Sequence, residues 1–195
     1  KPGKERFIKQ VIKSNPDVVL VRNPAVFHLL KESAPEITCV ADFSFNISNS
    51  VSYEIIENKG FERLTPSYDL NFSQLQNTLD YVDRSKAEIT IHQYMPMFHM
   101  EHCVFATFLS DGSSIADCGL VCRNNELEIK DDSGIKHVLK ADKDCKNTLF
   151  HGEAQSIISF IPKLLKSGIS HYRLEALNES SEELARKISI YNKLL

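Results

Sequence analysis

Four cysteines fall in one stretch of this chain, in the pattern Cys103-x14-Cys118-x3-Cys122-x22-Cys145. Four thiolates can hold a zinc ion tetrahedrally or anchor an iron–sulfur cluster. Zinc ribbons and fingers generally use two tight pairs, and only Cys118 and Cys122 make such a pair here. Ligands reaching in from well-separated loops suit a cluster that joins an insertion to the mouth of a barrel. The competing explanation is plain burial, since a free cysteine behaves as a small hydrophobe. Against it stand the closeness of the four and their turn-rich setting, with Asp111, Asp117 and Gly119 as neighbours. His99 and His102 precede Cys103 in a His-x2-His-Cys run, which could bind zinc through imidazole and thiolate, across a subunit interface for example. His28, His137 and His171 belong to no such pattern and read as surface or satisfied core residues.

Hydrolytic chemistry finds less support. There is no His-Glu-x-x-His metal motif and no Gly-x-Ser-x-Gly elbow. Cys103 follows His102, but adjacency in sequence does not make a nucleophile–base pair; geometry must. A cysteine that ligates a cluster is also unavailable as a nucleophile.

Composition bounds the rest. The chain has 195 residues, 42% apolar and 25% charged, with a net charge of −3. That is an ordinary globular composition with no global basic footprint for non-specific nucleic-acid binding. No apolar run reaches the ~18 residues of a membrane span, so no membrane partner is expected. Five cysteines, four of them clustered, favour metal chemistry in a reducing compartment over a disulfide scaffold, and hence a cytoplasmic location. The amino terminus, Lys1-Pro2-Gly3-Lys4, has neither an initiating Met nor the apolar core of a signal peptide, and reads as a cut from something longer.

The elements that must position these residues alternate. Residues 4–14 predict a helix ending before Pro16, and Asp17 to Arg22 a buried strand of the continuous apolar kind found in parallel sheets. Asn23-Pro24 opens the next helix as cap and first residue. Strands follow at 37–42, 61–65, 87–92 and 172–176; helices follow at 49–59, closed by Gly60, and from Phe72 to Val82. Ala154 to Leu165 keeps helical spacing up to Gly168, and Ser180 with Glu183 forms a capping box before a last helix. Strand ends recurring at this interval predict βα units and a parallel sheet. Residues 93–150 break the rhythm with short β pieces at 126–129 and 137–139 around an Asp132-Ser133-Gly134 turn.

The expected fold is therefore α/β: a partial (βα)8 TIM-type barrel supplying the last five strands, with a cysteine-rich β insertion between the last two. Residues 1–92 would be βα units, 93–150 the insertion and 151–195 the final helix-strand-helix. Exposed sheet edges predict association with missing amino-terminal strands or with another copy of the chain. Catalysis on such barrels gathers at the carboxy-terminal ends of the strands. The residues there, Arg22, Asn23, Asp42, Ser44, Asn46, Tyr68, Asp69 and His92, are the candidate substrate-binding set. Helix capping and turn formation compete for Asn23 and Asp69.

Several blocks resemble the collagenase-like peptidase family U-thirty-two, in its longer multi-domain type. Tyr94 to Phe105, including His99, His102 and Cys103, is similar to the segment after that family's seventh strand. Cys118-Gly-Leu-Val-Cys122, Asp131-Asp-Ser-Gly134 and Cys145-Lys-Asn-Thr148 resemble the cysteine-bearing blocks that follow. Val21-Arg22-Asn23, Ala41 to Asn46 and Ser67 to Asn71 resemble the ends of the fourth, fifth and sixth strands. The resemblance implies a modified (βα)8 barrel and a 4Fe-4S cluster on Cys103, Cys118, Cys122 and Cys145. It also implies an alternative zinc site on His99, His102 and Cys103. The family includes proteins that modify RNA bases or hydroxylate small precursors without oxygen, beside the peptidases that named it. Iron–sulfur-dependent modification of RNA or a small molecule is thus the favoured expectation, with a peptidase or a zinc-stapled binding module as alternatives.

Overall fold

The computed structural model describes residues 5–195; Lys4, where the first helix was expected to begin, lies outside them. Helix α1 (Glu5–Lys13) precedes strand β1 (Val18–Val21). Helix α2 (Pro24–Ser33) starts where Asn23 caps it, the Asn23 side chain accepting from Ala25 N at 2.8 Å, with Pro24 in the first turn. Strand β2 (Thr38–Ala41), helix α3 (Ser50–Glu57), strand β3 (Arg63–Leu64) and helix α4 (Phe72–Leu79) follow. Asn49 and Asn71 each close a reciprocal capping box on their helices. Gly60 has φ +91°, the left-handed conformation that stops α3 at little cost to glycine. Strand β4 (Glu88–Gln93) completes this part.

β1, β2 and β3 form a parallel sheet in that order, with Val19 opposite Cys39 and Ala41 opposite Leu64. A parallel bridge from Leu64 to Ala87 leads toward β4.

The chain then turns antiparallel. Strand β5 (Pro96–Met100), helix α5 (Val104–Leu109), and strands β6 (Leu127–Lys130), β7 (Lys136–Ala141) and β8 (Asn147–Phe150) include a four-stranded sheet ordered β5-β8-β7-β6. Pairing places Leu127, Leu139 and Leu149 side by side on one face. Phe105 packs there, with Met97, Met100, Cys103 and Cys122 against it. Strand β9 (Gln155–Ser156), helix α6 (Ile161–Lys166), strand β10 (His171–Leu174) and helix α7 (Ser181–Asn192) end the chain. β4 lies between β10 and β9 in a third sheet. The Ser180–Glu183 capping box forms as expected, Ser180 N donating to Glu183 Oε2 at 2.8 Å and Glu183 N to Ser180 Oγ at 3.2 Å.

Two compact units result. The first runs to Ile91 and adds Ile157–Leu174 and Lys187–Leu195; the second comprises His92–Ser156 and Glu175–Arg186. The core of the first contains Val21, Cys39, Ala41, Ile47, Tyr53, Leu64, Ile89, Ile91, Ile161 and Leu164. That of the second is small, centred on Phe105, Leu139 and Leu149.

The α/β expectation holds at that level: the described residues form a mixed α/β structure with three separate sheets and no closed barrel. One expectation is corrected. The helix expected over 154–165 is a short strand, a 3-10 turn at Ile158–Phe160 and then α6. Pro162 explains the difference: it has no N–H to give to a helix interior and so stands in the first turn, while Gln155 and Ser156 pair with Gln93 and His92.

Candidate functional site

The second unit carries the sulfur chemistry. Cys103 immediately precedes α5, Cys118 and Cys122 flank a left-handed turn at Gly119 and Leu120, and Cys145 occupies the turn between β7 and β8. All are free thiols; Cys118 is buried and the other three are half-buried. Cys145 lies within electrostatic reach of the other three. Burial first, and then the charges of Cys103, Cys118, Cys122 and Asp142, push the Cys145 thiol above its ordinary value. Among the described residues, no three His, Cys, Asp or Glu side chains are drawn into a coordination sphere.

Local structure prepares the positions. Cys145 itself has φ +61°, a conformation non-glycine residues rarely adopt, so the turn holds it at a cost. Asn147 is fully buried on β8. Its Oδ1 accepts from Val104 N at 2.6 Å, capping α5, and its Nδ2 faces Cys103 Sγ at 3.9 Å. One amide thereby fixes both the helix start and the sulfur beside it. Gly112 packs so closely on the next segment that a Cβ there would lie 2.5 Å from the Asp117 carbonyl carbon and 2.6 Å from Cys118 Cα. Four free thiols carried by three segments, two of them, Cys103 and Cys122, packed on one apolar core, suit a metal–sulfur group by the chemistry of the donor set.

His99 and His102 are both exposed. His99 Nδ1 is 3.0 Å from Thr148 Oγ1 across the β5–β8 pairing. With Cys103 they make no ready-formed zinc site among the described residues. Cys103 Sγ is met by the Asn147 amide, which can orient a sulfur but cannot take its proton.

The strand-end residues divide between the units. In the first, Asp42 is fully buried at the end of β2, and its Oδ1 accepts from Arg173 Nη1 at 2.5 Å. Arg22 Nε lies 2.6 Å from Asp42 Oδ2, and its guanidinium is 5.6 Å from the centre of the Phe43 ring. Ser44 Oγ donates to Arg22 O at 2.8 Å and ties the two strand-end loops together. Tyr68 meets Phe43 edge-on with centroids 4.6 Å apart. Burial, then Asp69 and Asp42, raise the Tyr68 pKa, so the phenol stays a donor at neutral pH. Arg22, Asp42, Ser44 and Tyr68 are thus brought together. Asn23 serves α2 as its cap. Asp69 is exposed and its Oδ2 accepts from Ser67 Oγ at 3.1 Å, a local turn. Asn46 is exposed with φ 54°, ending a short 3-10 turn.

His92 belongs to the second unit. It is buried, with Nε2 3.2 Å from Glu179 Oε1, while Glu179 Oε2 accepts from Leu177 N at 2.7 Å.

Sequence inspection missed the residue at the centre of the first unit's polar interior. Arg173 on β10 donates from Nε to Glu88 Oε1 at 2.7 Å, from Nη1 to Asp42 and from Nη2 to Thr65 Oγ1 at 2.7 Å. Burial works to lower the Arg173 pKa, but the Asp42 hydrogen bond and the Glu88 charge outweigh it, and the net shift is upward. The signal was partial: an arginine inside a strand needs an anion once it is drawn inward, but which acidic residues supply it, here Asp42 and Glu88, depends on strands far away along the chain.

No solved structure is significantly similar. The chain is 20% identical to tRNA hydroxylation protein P1 of Bacillus subtilis over 194 residues, 99% of this chain and 46% of that protein. It is 22% identical to tRNA hydroxylation protein P of Escherichia coli over 105 residues, 54% of this chain and 23% of that protein. It therefore spans less than half the length of either relative. The profile of peptidase family U32 matches residues 2–195, and on that match over nearly the whole chain the protein belongs to peptidase family U32.

Proposed function

We propose that this chain is part of an oxygen-independent RNA hydroxylase, and that Cys103, Cys118, Cys122 and Cys145 hold a 4Fe-4S cluster. What supports the proposal is the family match together with four free cysteines carried by three segments of the second unit, with Cys145 within electrostatic range of the other three. The similarity to two proteins named for tRNA hydroxylation supports the substrate class. Such a cluster, when bound, supplies one-electron chemistry of the kind oxygen-independent oxidation requires. The chain's own residues do the rest. Asn147 orients Cys103, Gly112 allows the Cys118 backbone its place, and the apolar cluster of Phe105, Leu139 and Leu149 packs against Cys103 and Cys122.

In the same proposal, β1, β2, β3, β4 and β10 are the last five strands of a (βα)8 barrel. The parallel order β1-β2-β3, the bridge from Leu64 to Ala87 and the neighbouring of β4 and β10 support it. The partners in this proposal are further barrel strands or another copy of the chain, together with an RNA substrate, and the compartment it calls for is a reducing one. No helix among the described residues is long and apolar enough to cross a membrane.

The test is purification of the full-length protein under strict anaerobiosis. A brown protein absorbing near ~400 nm, with about four iron and four sulfide per chain, is expected. Replacing any of the four cysteines by serine should bleach it and abolish the added oxygen atom in tRNA nucleosides measured by mass spectrometry. Colourless protein with stoichiometric zinc would instead support a stapled binding module and sink the redox proposal.

A further inference from the structure

Asp42 ends β2 with its side chain fully buried, and one of its oxygens accepts no hydrogen bond. Oδ1 is taken by Arg173 Nη1 at 2.5 Å. Arg22 Nε lies 2.6 Å from Oδ2, yet its N–H is not aimed there. Among the described residues, Asp42 Oδ2 is the buried side-chain oxygen or nitrogen left without a hydrogen-bond partner. Leaving a buried carboxylate oxygen in that state is costly, so an unfilled acceptor beside a strand end calls for an explanation.

Its surroundings supply one. The Arg22 side chain is 62% exposed, so it covers Oδ2 from the solvent side. Phe43 lies under the guanidinium and Tyr68 lies edge-on to Phe43, which makes a half-buried aromatic pair. Arg173, itself held by Glu88, sets the orientation of the carboxylate from its other side. Three recognition features thus adjoin: a hydrogen-bond acceptor with a vacant lone pair, an aromatic surface, and a long cationic side chain free to follow an anion. A sugar offers donors without a π face. A plain aromatic acid offers a ring and an anion without a donor on the ring edge. A nucleotide offers a flat base with N–H groups on its edge and a phosphate beside it.

We propose that Arg22, Asp42, Phe43 and Tyr68 form a binding site for one unstacked nucleotide of the RNA. Asp42 Oδ2 accepts the base N–H, the aromatic pair takes the base face, and Arg22 swings from the carboxylate to the phosphate. The inference rests on the RNA-modifying reading above and specifies its substrate contact.

The experiment is a titration of the isotope-labelled chain, followed by two-dimensional NMR, with uridine, cytidine, adenosine and guanosine 5′-monophosphates. A fifth probe, 3-methyluridine 5′-monophosphate, keeps ring and phosphate but lacks the ring N–H. Nucleotide should shift the amide signals of residues 42–46 and of Tyr68, and methylation should weaken uridine monophosphate by about tenfold, the loss of one hydrogen bond to a charged group. Arg22→Ala should weaken the monophosphate while leaving the phosphate-free nucleoside unchanged, and Phe43→Leu should weaken both. Asp42→Asn also loosens Arg173 and can unfold the unit, so the methylated probe and Arg22→Ala carry the decision. Shifts by none of the four nucleotides at those residues, or equal affinity for uridine monophosphate and its methylated form, would overturn the site. The titration needs no iron. A chain that loads a cluster but ignores nucleotides overturns this inference alone, and a chain that binds nucleotides but takes up no iron overturns the cluster alone.

Discussion

Asp131 shows how one side chain can govern a turn. Its Oδ1 accepts from Ser133 Oγ at 2.7 Å and from Ile135 N at 2.9 Å, and its Oδ2 lies 3.2 Å from His137 Nε2. The other imidazole nitrogen, Nδ1, accepts from Gly152 N at 3.0 Å, so Nε2 carries the proton that faces Asp131. The Ser133 hydroxyl is the main cause, with Ile135 N–H and His137 adding to it against burial, of an Asp131 pKa lowered to about 2. A carboxyl whose folded pKa lies below its unfolded value stabilises the fold above the unfolded pKa and loses that contribution as pH falls through the folded one. The window therefore runs from the ordinary 3.8 down to about 2. Melting temperatures followed by circular dichroism should show a gap between wild type and Asp131→Asn that is constant above about pH 5 and narrows below it. A gap that stays unchanged down to about pH 2 would refute the assignment.

At the scale of elements, the cysteine-bearing turns depend on close backbone approach. Gly112 faces Asp117 and Cys118 so tightly that any Cβ meets backbone at 2.5–2.6 Å, and backbone cannot yield as a flexible side chain would. Gly112→Ala should displace Cys118 while leaving the β5-β8-β7-β6 sheet intact. The expected outcome is an unchanged far-ultraviolet circular dichroism spectrum with markedly reduced iron per chain after anaerobic reconstitution. Full iron loading in that variant would show that the Cys118 position is not critical. Gly152 has a similar constraint against Lys136 O, at 2.0 Å from a built Cβ, and there the hairpin and its His137 contact are what the glycine protects.

At the scale of the molecule, each unit has its own hydrophobic core, with no side chain in common among the described residues. The first is large, while the second has three buried residues at its centre and relies on partly buried neighbours, Cys103 and Cys122 among them. Small cores commonly lean on a metal or a disulfide for stability. Hydrogen exchange should therefore report metal binding unevenly. Amides of Lys136–Ala141 and Asn147–Phe150 should exchange more slowly in the cluster-loaded protein, and those of Val18–Val21 and Thr38–Ala41 should not change. Equal slowing in both sets would mean that the cysteines do not serve the second core in particular.

Local chemistry was enough to specify much of this protein. Apolar runs bounded by Asn, Pro and Gly marked β1, β2, α2 and α3 within a residue or two, because caps and φ-restricted residues act on their immediate neighbours. The cysteine spacing named the candidate ligands, and the strand-end rule gathered Arg22, Asp42, Ser44 and Tyr68 in advance. It did not separate them from Asn23 and Asp69, whose polar side chains serve the local backbone. Strands β5, β8 and β9 escaped notice, since short antiparallel strands owe their pairing to partners distant along the chain, as Ser156 does to His92 and Pro96 to Phe150, and not to their own pattern. Only tertiary structure could bring Arg173 to Asp42 across 131 positions. Only it could bury Asp42 Oδ2 without a hydrogen bond, because which charges meet in a buried interior depends on how strands distant along the chain come together.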